Sequence, residues 1–473
     1  MIKGTAYHII AMAIFISSSY TIHIVIARHM GPSLYGLFGI VLAVLSVIDL
    51  VVRSGVGKAV SKYVSEGTNQ FGILRSGLRL QLGVSTIFTL LYFSTSNLIA
   101  SLLGDKTLGI YIRLSALCII PYALDSIYHG YLNGLREFGR ECVSSILYSV
   151  IKLSVVLVVL LTRSNVADIF IGYAVSAGAA VVISRQFGHK FMTNWQDPLA
   201  PAKKLIAFAI PVALVSITEV LLMNTDIFLI KRLLHDNILT GLYISATNLA
   251  RLPWYILGAF YMTLFPSISK AASKCDIKLA KKYLTESVRY LLIVIIPLSF
   301  IISVSAPNLL RVFYSDAFVG ATPALSVLIF GISLMAVFTA FTGVISASGK
   351  PSLSLALSII LLPISLGANF LLIPKYGLLG AAVASTFAYG VGVLTAAGFV
   401  FLKFGNCVSI LSLSRILIAS FGISFFLPER PVGAIILLTA YVIALFAYIG
   451  ILFLLREITT KDMDILKSML RQS

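Results

Sequence analysis

Residues 228–244, FLIKRLLHDNILTGLYI, repeat a pattern found near the start of the chain. In this pattern an apolar run ends at a basic residue, a short polar loop follows, and a glycine opens the next apolar run. Residues 24–40, IVIARHMGPSLYGLFGI, have the same order. Gly36 and Gly241 occupy matching positions in the two segments, 205 residues apart. The match predicts an internal duplication.

A second match in the same order favours the same interpretation. Residues 131–139, YLNGLREFG, and residues 345–352, ISASGKPS, each join a fourth apolar run to a fifth within their half of the chain. Gly134 and Gly349 are 215 positions apart. Each half would contain six membrane helices, so the two halves would run in the same direction about an axis along the membrane normal. Transporters built in this way bind substrate between the halves and alternate access by rocking them.

Composition places the whole chain in a membrane. Of the 473 residues, 59% are hydrophobic and 11% are charged, whereas soluble domains carry roughly 25% charged residues. The apolar runs are continuous and about twenty residues long, which suits a helix crossing a hydrocarbon core of about 30 Å. A β-barrel would show alternating residues instead. We therefore predict an all-α polytopic membrane protein.

The apolar runs predict fourteen membrane-spanning helices, two six-helix bundles in a pseudo-twofold repeat followed by two further helices. The predicted spans are about 6–27, 36–54, 78–103, 109–133, 142–162, 166–186, 205–230, 240–266, 286–305, 321–346, 352–373, 378–402, 408–427 and 432–455. The predicted organisation is an N-terminal bundle at 1–188, a cytoplasmic linker at 189–204, a C-terminal bundle at 205–403, helices 13 and 14 at 404–456, and a cytoplasmic tail at 457–473. The first run is a full span without a cleavable signal pattern, so we expect it to remain as the first helix.

The basic residues predict the orientation. With a cytoplasmic N-terminus, 24 of the 36 Lys and Arg residues lie in cytoplasmic segments, 9 lie outside and three lie within spans. Cytoplasmic loops of membrane proteins are enriched in Lys and Arg, so both termini are predicted to be cytoplasmic. The same rule explains the net charge of +18 without nucleic acid as a partner. No N-x-[ST] sequon occurs, which favours the plasma membrane of a prokaryote.

Ionisable residues within the spans mark candidate sites, because such a group at mid-bilayer costs roughly 2.5–3.5 kcal/mol unless it faces a cavity or a partner. Glu219 and Asp226 lie two turns apart on one face of the seventh span. Arg251 lies near the middle of the eighth span, where it can meet Glu219. Pro253 removes a backbone donor next to Arg251 and is expected to break the helix there, as at binding sites and gates in transporters.

The N-terminal half has comparable residues. Lys152 lies deep in the fifth span, whereas Arg28 and Arg53 lie near opposite ends of theirs and could extend to the interface. Asp49 and Asp125 lie toward the predicted cytoplasmic side, where they could pair with Arg53 or with loop bases. Arg415, outside the repeat, is expected to contact lipid headgroups or a partner.

Signatures of soluble enzymes are missing from the sequence. No GxxxxGK[ST] loop, HExxH motif or dinucleotide fingerprint occurs. The four cysteines are scattered singly, without metal-ligand or redox spacing. We therefore expect neither an enzyme nor a cofactor or metal, and energy would come from a Na⁺ or H⁺ gradient, the membrane potential or downhill substrate flux.

Several stretches resemble the polysaccharide transport, or O-antigen flippase-like, family of the multidrug/oligosaccharidyl-lipid/polysaccharide (MOP) exporter superfamily. They include IARHMGPSLYGLFGI and SGVGKAVSKYVSE within residues 26–66, the stretch from TDIFLIKRLL to LFPSISK at 225–270, and ISASGKPSLSLALSIILLPISLGANFLLIPKYGLLGAAVAS at 345–385. The resemblance covers essentially the whole chain, and the 6+6+2 layout agrees with it. It implies a flippase that moves a polyprenyl-linked oligosaccharide from the cytoplasmic to the outer leaflet.

The resemblance also implies a cationic central cavity. Arg251 and Lys152, with Arg28 or Arg53, would hold the lipid phosphates through charge-assisted bonds. Trp254 and Tyr255 would stack against sugars, and Glu219 and Asp226 would position the bases or bind a coupling cation. Two alternatives stay open: a cation-coupled multidrug exporter of the multidrug and toxin extrusion (MATE) branch, and an inactive membrane scaffold. The expected partners are membrane lipids, the polyprenyl-linked glycan and other polysaccharide-assembly proteins, with a monomer as the functional unit.

Overall fold

The architecture comes from a computed structural model that describes residues 2–67, 69–162, 165–192, 197–255, 277–405, 409–428 and 430–458. These residues form α-helices, two short 3₁₀ turns and connecting segments, and contain no β-strand. Long runs of Leu, Ile, Val, Phe and Ala form the helices, because a helix satisfies every backbone polar group within one segment. Parts of three predictions lie outside the described residues: the second half of the eighth span, the loop up to residue 276, and most of the C-terminal tail.

The chain divides into two compact units, Met1–Gly241 and Leu242–Ser473. The helices of the first unit are α1 (Ile2–Ser54), α2 (Val56–Ser65), α3 (Gln70–Ser94), α4 (Ser96–Leu102), α5 (Leu108–Ser115), α6 (Ile119–Gly134), α7 (Phe138–Thr162), α8 (Val166–His189), α9 (Ala202–Leu234) and the start of α10 (Asn237–Ala250). Within this unit α1 packs against α7 and α9, and α6 packs against α2 and α8.

The helices of the second unit are the end of α10, α11 (Ile277–Val304), α12 (Ala306–Phe313), α13 (Thr322–Ala347), α14 (Pro351–Phe404), α15 (Ile410–Ser424) and α16 (Ala434–Leu454). The main packing in this unit is of α13 on α14, of α11 on α13 and α15, and of α15 on α16. The side chains of Ile416, Ala419 and Ala444 are fully buried between these helices.

Two of the long helices are broken at glycines. Gly31 in α1 has φ 74° and Gly377 in α14 has φ 57°, values that other residues rarely adopt. Each break separates two predicted spans, so α1 corresponds to spans 1 and 2, and α14 to spans 11 and 12. Of the described residues, nine continuous helical segments are long and apolar enough to cross a membrane, or up to ten if the α3–α4 pair, bent by 55°, is one span.

Two short helices were not predicted, because a search for full spans passes over them. In α2, Val56, Ala59 and Val60 are buried while Lys58 is exposed. Apolar residues at this spacing form one helix face, but ten residues are too few to cross a bilayer. The same holds for α12, which lies between α11 and α13.

The connection between α9 and α10 follows from the sequence HDN. His235 ends α9 in the left-handed region with φ 52°. The Asp236 carboxylate then accepts hydrogen bonds from the backbone amides of Ile238 and Leu239, at 2.6 and 3.2 Å. Such a bond satisfies amides that have no partner within the helix. One helix therefore ends at Leu234, and the next begins at Asn237 after a connection of two residues.

The two glycines at matching positions of the duplication lie against each other. A Cβ added to Gly36 would be 2.0 Å from the Asn237 carbonyl oxygen and 2.7 Å from the Gly241 nitrogen. A Cβ added to Gly241 would be 2.0 Å from the Pro32 carbonyl oxygen and 3.0 Å from the Gly36 nitrogen. Pro32 and Asn237 are also 205 residues apart. The contact is therefore reciprocal, as in an isologous interface around a twofold axis.

Candidate functional site

A cluster of charged and aromatic side chains lies inside the first unit, between membrane-spanning helices. Its first component is an ion pair on α1, in which Arg53 Nη1 donates to Asp49 Oδ2 at 3.1 Å. The two residues are one helical turn apart, a spacing that brings side chains together on one face. Asp49 also interacts electrostatically with Lys152 of α7 and Asp125 of α6. Four residues predicted from the sequence therefore share one region.

Tyrosines surround the two cations of this cluster. The Arg53 guanidinium carbon lies 5.3 Å from the centre of the Tyr122 ring, and Lys152 Nζ lies 4.0 Å from that of Tyr173. The Tyr148 hydroxyl donates to the Tyr122 hydroxyl at 3.0 Å. Cation–π contacts are strongest where the cation has lost its water. The tyrosines thus hold Arg53 and Lys152 within a part of the bundle that is otherwise apolar.

The cluster continues toward the predicted cytoplasmic end through residues that the sequence analysis did not single out. His129 Nε2 lies 3.5 Å from Asp125 Oδ1, and His129 Nδ1 lies 3.9 Å from Glu141 Oε1. The other oxygen of Glu141 lies 3.7 Å from His8 Nε2 and accepts a hydrogen bond from Asn133 at 3.2 Å. The spacing of four residues between Asp125 and His129 was a signal that could have identified this pair.

A second polar cluster ties α9 to the loop between α4 and α5. Lys231 Nζ donates to Asp105 Oδ2 at 2.6 Å and to the Asn237 side chain. Lys231 is only 1% exposed. Burial acts to raise the pKa of Asp105, but the hydrogen bonds from Lys231 and Thr107 outweigh it and hold the pKa below its usual value. Lys231 is one of the nine bases that the predicted topology places outside the membrane.

The remaining acidic candidates and Arg28 lie elsewhere in the first unit. Asp226 is buried, and its carboxylate accepts a hydrogen bond from the Ile227 backbone amide at 2.8 Å. Glu219 is half-buried on α9, and Lys58 of α2 acts on it electrostatically. Arg28 is exposed, three residues before the break at Gly31.

The other candidates of the eighth span lie in the second unit. Helix α10 ends at Ala250, a turn follows at Arg251, and residues 252–255 are helical again. The helix is therefore interrupted at Arg251, two residues before Pro253. The Pro253 side chain is buried. Arg251, Trp254 and Tyr255 are half-buried.

The second unit contains an apolar cavity of about 610 Å³ between α11, α13, α14 and α15. Phe300, Phe330 and Phe341 contribute aromatic rings to its wall. The two serines in the wall satisfy each other, since Ser299 Oγ and Ser333 Oγ are 2.7 Å apart. A wall of this composition suits a hydrocarbon chain and offers little to a sugar or a phosphate.

Arg415, which the sequence predicts to contact lipid headgroups or a partner, is paired with a carboxylate of the same chain. Arg415 Nη1 lies 3.6 Å from Glu457 Oε2, and Arg289 Nε donates to Glu457 Oε1 at 2.9 Å. The Ser412 hydroxyl donates to the same carboxylate at 2.7 Å. Glu457 is 3% exposed. This carboxylate therefore connects α11 and α15 with the segment that follows α16. Arg289 and Glu457 are 168 residues apart in the sequence.

We expect Glu457→Gln to destabilise the protein by about 2 kcal/mol, because the buried side chain loses its negative charge and one of its two acceptor oxygens, which face Arg289 and Arg415. Thermal unfolding in detergent would measure the change. Glu66→Gln is the matched control, since its pair with Lys204 is about half exposed and should contribute less than about 1 kcal/mol. Equal shifts for the two variants would contradict the structural role of Glu457.

Within the described part of the chain, no group of three or more His, Cys, Asp or Glu side chains is arranged to hold a metal ion. Cys118 and Cys142 are both free and buried. The site is therefore built from ion pairs, tyrosines and histidines, which can bind an anionic or sugar-bearing ligand or exchange protons.

Comparison with known families gives a match over most of the chain. Residues 25–323 match the family model described as polysaccharide biosynthesis protein. The Probable low-salt glycan biosynthesis flippase Agl15 of Haloferax volcanii is 24% identical over 383 residues, which cover 80% of this chain and 79% of that protein. Lipid II flippase MurJ of Bacillus subtilis is 23% identical over 402 residues, with coverage of 76% and 74%. An uncharacterised membrane protein of Methanocaldococcus jannaschii, MJ1068, is 24% identical over 419 residues, with coverage of 82% and 81%.

Solved structures share the fold. A structure of lipid II flippase MurJ in an inward closed conformation matches with a TM-score of 0.76, covering 97% of this chain and 99% of that chain at 14% identity. The eukaryotic MATE transporter AtDTX14 matches with a TM-score of 0.62, covering 88% and 98% at 16% identity. At these identities the likeness concerns the fold, which flippases and MATE transporters have in common.

Proposed function

The chain belongs to the polysaccharide biosynthesis protein family of the MOP exporter superfamily, and from this premise we propose that it is a flippase for a polyprenyl-(di)phosphate-linked oligosaccharide. It would carry the glycan headgroup from the cytoplasmic to the outer leaflet by alternating access, as a translocator rather than an enzyme. The names of the Agl15 and MurJ relatives, a glycan flippase and a lipid II flippase, support a lipid-linked substrate.

We further propose the complete architecture predicted from the sequence: fourteen spans, with bundles at 1–188 and 205–403 in a pseudo-twofold repeat, the linker at 189–204, helices 13 and 14 at 404–456, and the tail at 457–473. The reciprocal contact of Gly36 with Gly241 supports the repeat, because its partners match at the same offset of 205 residues. The predicted basic-residue asymmetry supports cytoplasmic termini in the plasma membrane of a prokaryote.

The observation that carries the proposed function is the pair of cations inside the membrane-spanning part of the first unit. Arg53 and Lys152 lie among tyrosines on helices that are otherwise apolar. Ionisable groups inside a membrane are costly and commonly mark substrate and ion pathways, and the ion pair with Asp49 holds Arg53 in place there. An arginine fork suits phosphate oxygens, and tyrosine rings suit sugar faces. Both properties fit the headgroup of a lipid-linked glycan.

The apolar cavity of the second unit supports the lipid part of the proposal. Its wall is almost entirely hydrocarbon and aromatic. Burying each CH₂ group contributes about 0.8 kcal/mol, so a segment of a polyprenyl chain would bind there without any polar contact.

Arg251 provides the first test. Proteoliposomes would contain a fluorescent polyprenyl-diphosphate glycan, and its movement between leaflets would be followed. We expect Arg251→Ala to slow this movement at least about tenfold, because a charge-assisted bond to phosphate contributes about 1.5–3 kcal/mol. Arg251→Lys should retain part of the rate, since lysine keeps the positive charge but lacks the planar guanidinium that donates two parallel hydrogen bonds. Arg185→Ala is the control, an exposed arginine on α8.

The same assay separates the alternatives. A cationic dye is offered as the competing substrate. Movement of the dye without movement of the glycan would contradict the flippase and identify a MATE-like exporter with Glu219 and Asp226 at its centre. Movement of neither substrate by a folded protein would identify an inactive scaffold. Membrane lipids and the glycan are the proposed partners of a functional monomer, together with other polysaccharide-assembly proteins.

A further inference from the structure

His129 lies between two carboxylates. One ring nitrogen lies 3.5 Å from Asp125 Oδ1 and the other lies 3.9 Å from Glu141 Oε1. A neutral imidazole has one N–H donor and one lone pair, whereas an imidazolium has two donors. Only the protonated ring therefore has a donor for each carboxylate and a positive charge between them.

One oxygen of the carboxylate on one side of the ring lacks a hydrogen-bond donor. Asp125 is 6% exposed, and its Oδ1 atom receives no hydrogen bond from any described residue. A buried acceptor without a donor is costly. Protonation of His129 would place a donor opposite this oxygen and remove that cost. Ser144 Oγ, at 3.4 Å from His129 Nε2, is the other polar neighbour.

Glu141 joins His129 to a second histidine. His8 is 31% exposed, and its Nε2 atom lies 3.7 Å from the second oxygen of Glu141. Besides these groups, Arg53 acts on His129 electrostatically from α1. The cluster therefore extends from α6 to the beginning of α1 and includes the charge of Arg53.

Protonation also changes what holds three helices together. His8 belongs to α1, Asp125 and His129 to α6, and Glu141 to α7. With His129 protonated, one cation lies between the two carboxylates. With His129 neutral, both carboxylates face an uncharged ring. The proton is then part of the contact between the ends of α1, α6 and α7.

We propose that His129, between Asp125 and Glu141, is a proton-binding site, and that proton binding there couples to the transport cycle. The coupling to transport rests on the flippase function proposed above, whereas the proton-binding site does not. Loss of the proton would loosen the contact of α6 with α7, and rebinding would restore it. The site thereby assigns H⁺, rather than Na⁺, as the coupling ion.

The binding site is tested without any transport assay. Protein labelled with ¹⁵N-histidine is reconstituted in lipid nanodiscs, and the ring nitrogen signals are recorded near neutral pH. The His129 signal is identified by its loss in His129→Gln. We expect both His129 nitrogens to show the imidazolium signature in the wild type and a neutral ring in Asp125→Asn/Glu141→Gln. A neutral tautomer in the wild type would overturn the proposal. If the double variant does not fold, Glu141→Gln alone provides the comparison.

Coupling is tested by glycan-lipid movement in proteoliposomes at cytoplasmic pH values between about 5 and 8. We expect the wild-type rate to change by about an order of magnitude across this range, and the rate of His129→Gln to lose this dependence. His189→Gln, an exposed histidine at the end of α8, should keep the wild-type profile. A His129→Gln profile parallel to the wild type would refute coupling. A wild type that moves no glycan-lipid at any pH refutes the flippase, while the nitrogen signals still decide the proton site.

Discussion

Gly36→Ala is expected to destabilise the protein by about 3 kcal/mol or more, because the added methyl group has no space. Its Cβ would be 2.0 Å from the Asn237 carbonyl oxygen, about 1.5 Å closer than a favourable nonbonded contact. The neighbouring atoms are backbone, so no side chain can rotate away. Relief requires the crossing helices to separate. Thermal unfolding in a single detergent would measure the loss.

Gly241→Ala should have a similar effect, since the contact is reciprocal. The double variant should cost less than the two single costs together, because either methyl group already separates the helices. Gly83→Ala is the matched control: Gly83 lies within α3 of the same unit, and nothing lies within 4 Å of a Cβ added there. This control should be neutral or up to about 1 kcal/mol more stable. Equal unfolding temperatures for Gly36→Ala and Gly83→Ala would show that the helices do not cross in this way.

Asp105→Ala should cost about 3–5 kcal/mol, because it leaves the Lys231 ammonium group buried without its carboxylate. Lys231 is 1% exposed, so water cannot replace the lost partner without rearrangement. Adding Lys231→Met to Asp105→Ala should recover most of the loss, since no uncompensated charge then remains. Chemical or thermal unfolding of the single and double variants would give the coupling energy. The idea fails if the double variant is less stable than both single variants.

The exposed pair of Arg311 with Asp316 is the matched control. Asp316 is 79% exposed, so Asp316→Ala should cost less than about 1 kcal/mol. A loss comparable to that of Asp105→Ala would mean that burial is not what distinguishes the two pairs.

The Asp105 pair also has a defined pH dependence. The folded-state pKa of Asp105 lies below its usual value of 3.8. A group with a depressed folded-state pKa stabilises the protein above its unfolded pKa, and this contribution is lost as pH falls through the folded value. The stability difference between wild type and Asp105→Asn should therefore persist from about pH 5 upward and shrink below about pH 4. A difference that instead disappears between pH 6 and 8 would contradict the assignment of this pH dependence to Asp105.

Much of the fold could be predicted from local patterns. The all-helical membrane architecture follows from the length and continuity of the apolar runs, and each predicted span overlaps a helix of the described chain. Short amphipathic helices such as α2 were missed because their apolar face is visible only at helical spacing, within ten residues. Among the predicted site residues too, only contacts within one helix could be predicted from local sequence. Asp49 and Arg53 pair because they are one turn apart on one helix, a relation that a sequence shows directly.

The order of residues along the chain therefore predicts the class of protein, most of the long helices, the family and the matching glycines. Each depends on the order of residue types along one segment or on a repeat. Only the tertiary structure decided which charges meet. Lys231 and Asp105 are 126 residues apart, Glu457 and Arg289 168 apart, and Glu141 contacts both His129 and His8 from a different helix. Each residue along a helix turns the side chain by about 100°. A partner is therefore set by the rotation and depth of each helix against its neighbours, and those are fixed by packing across the whole unit.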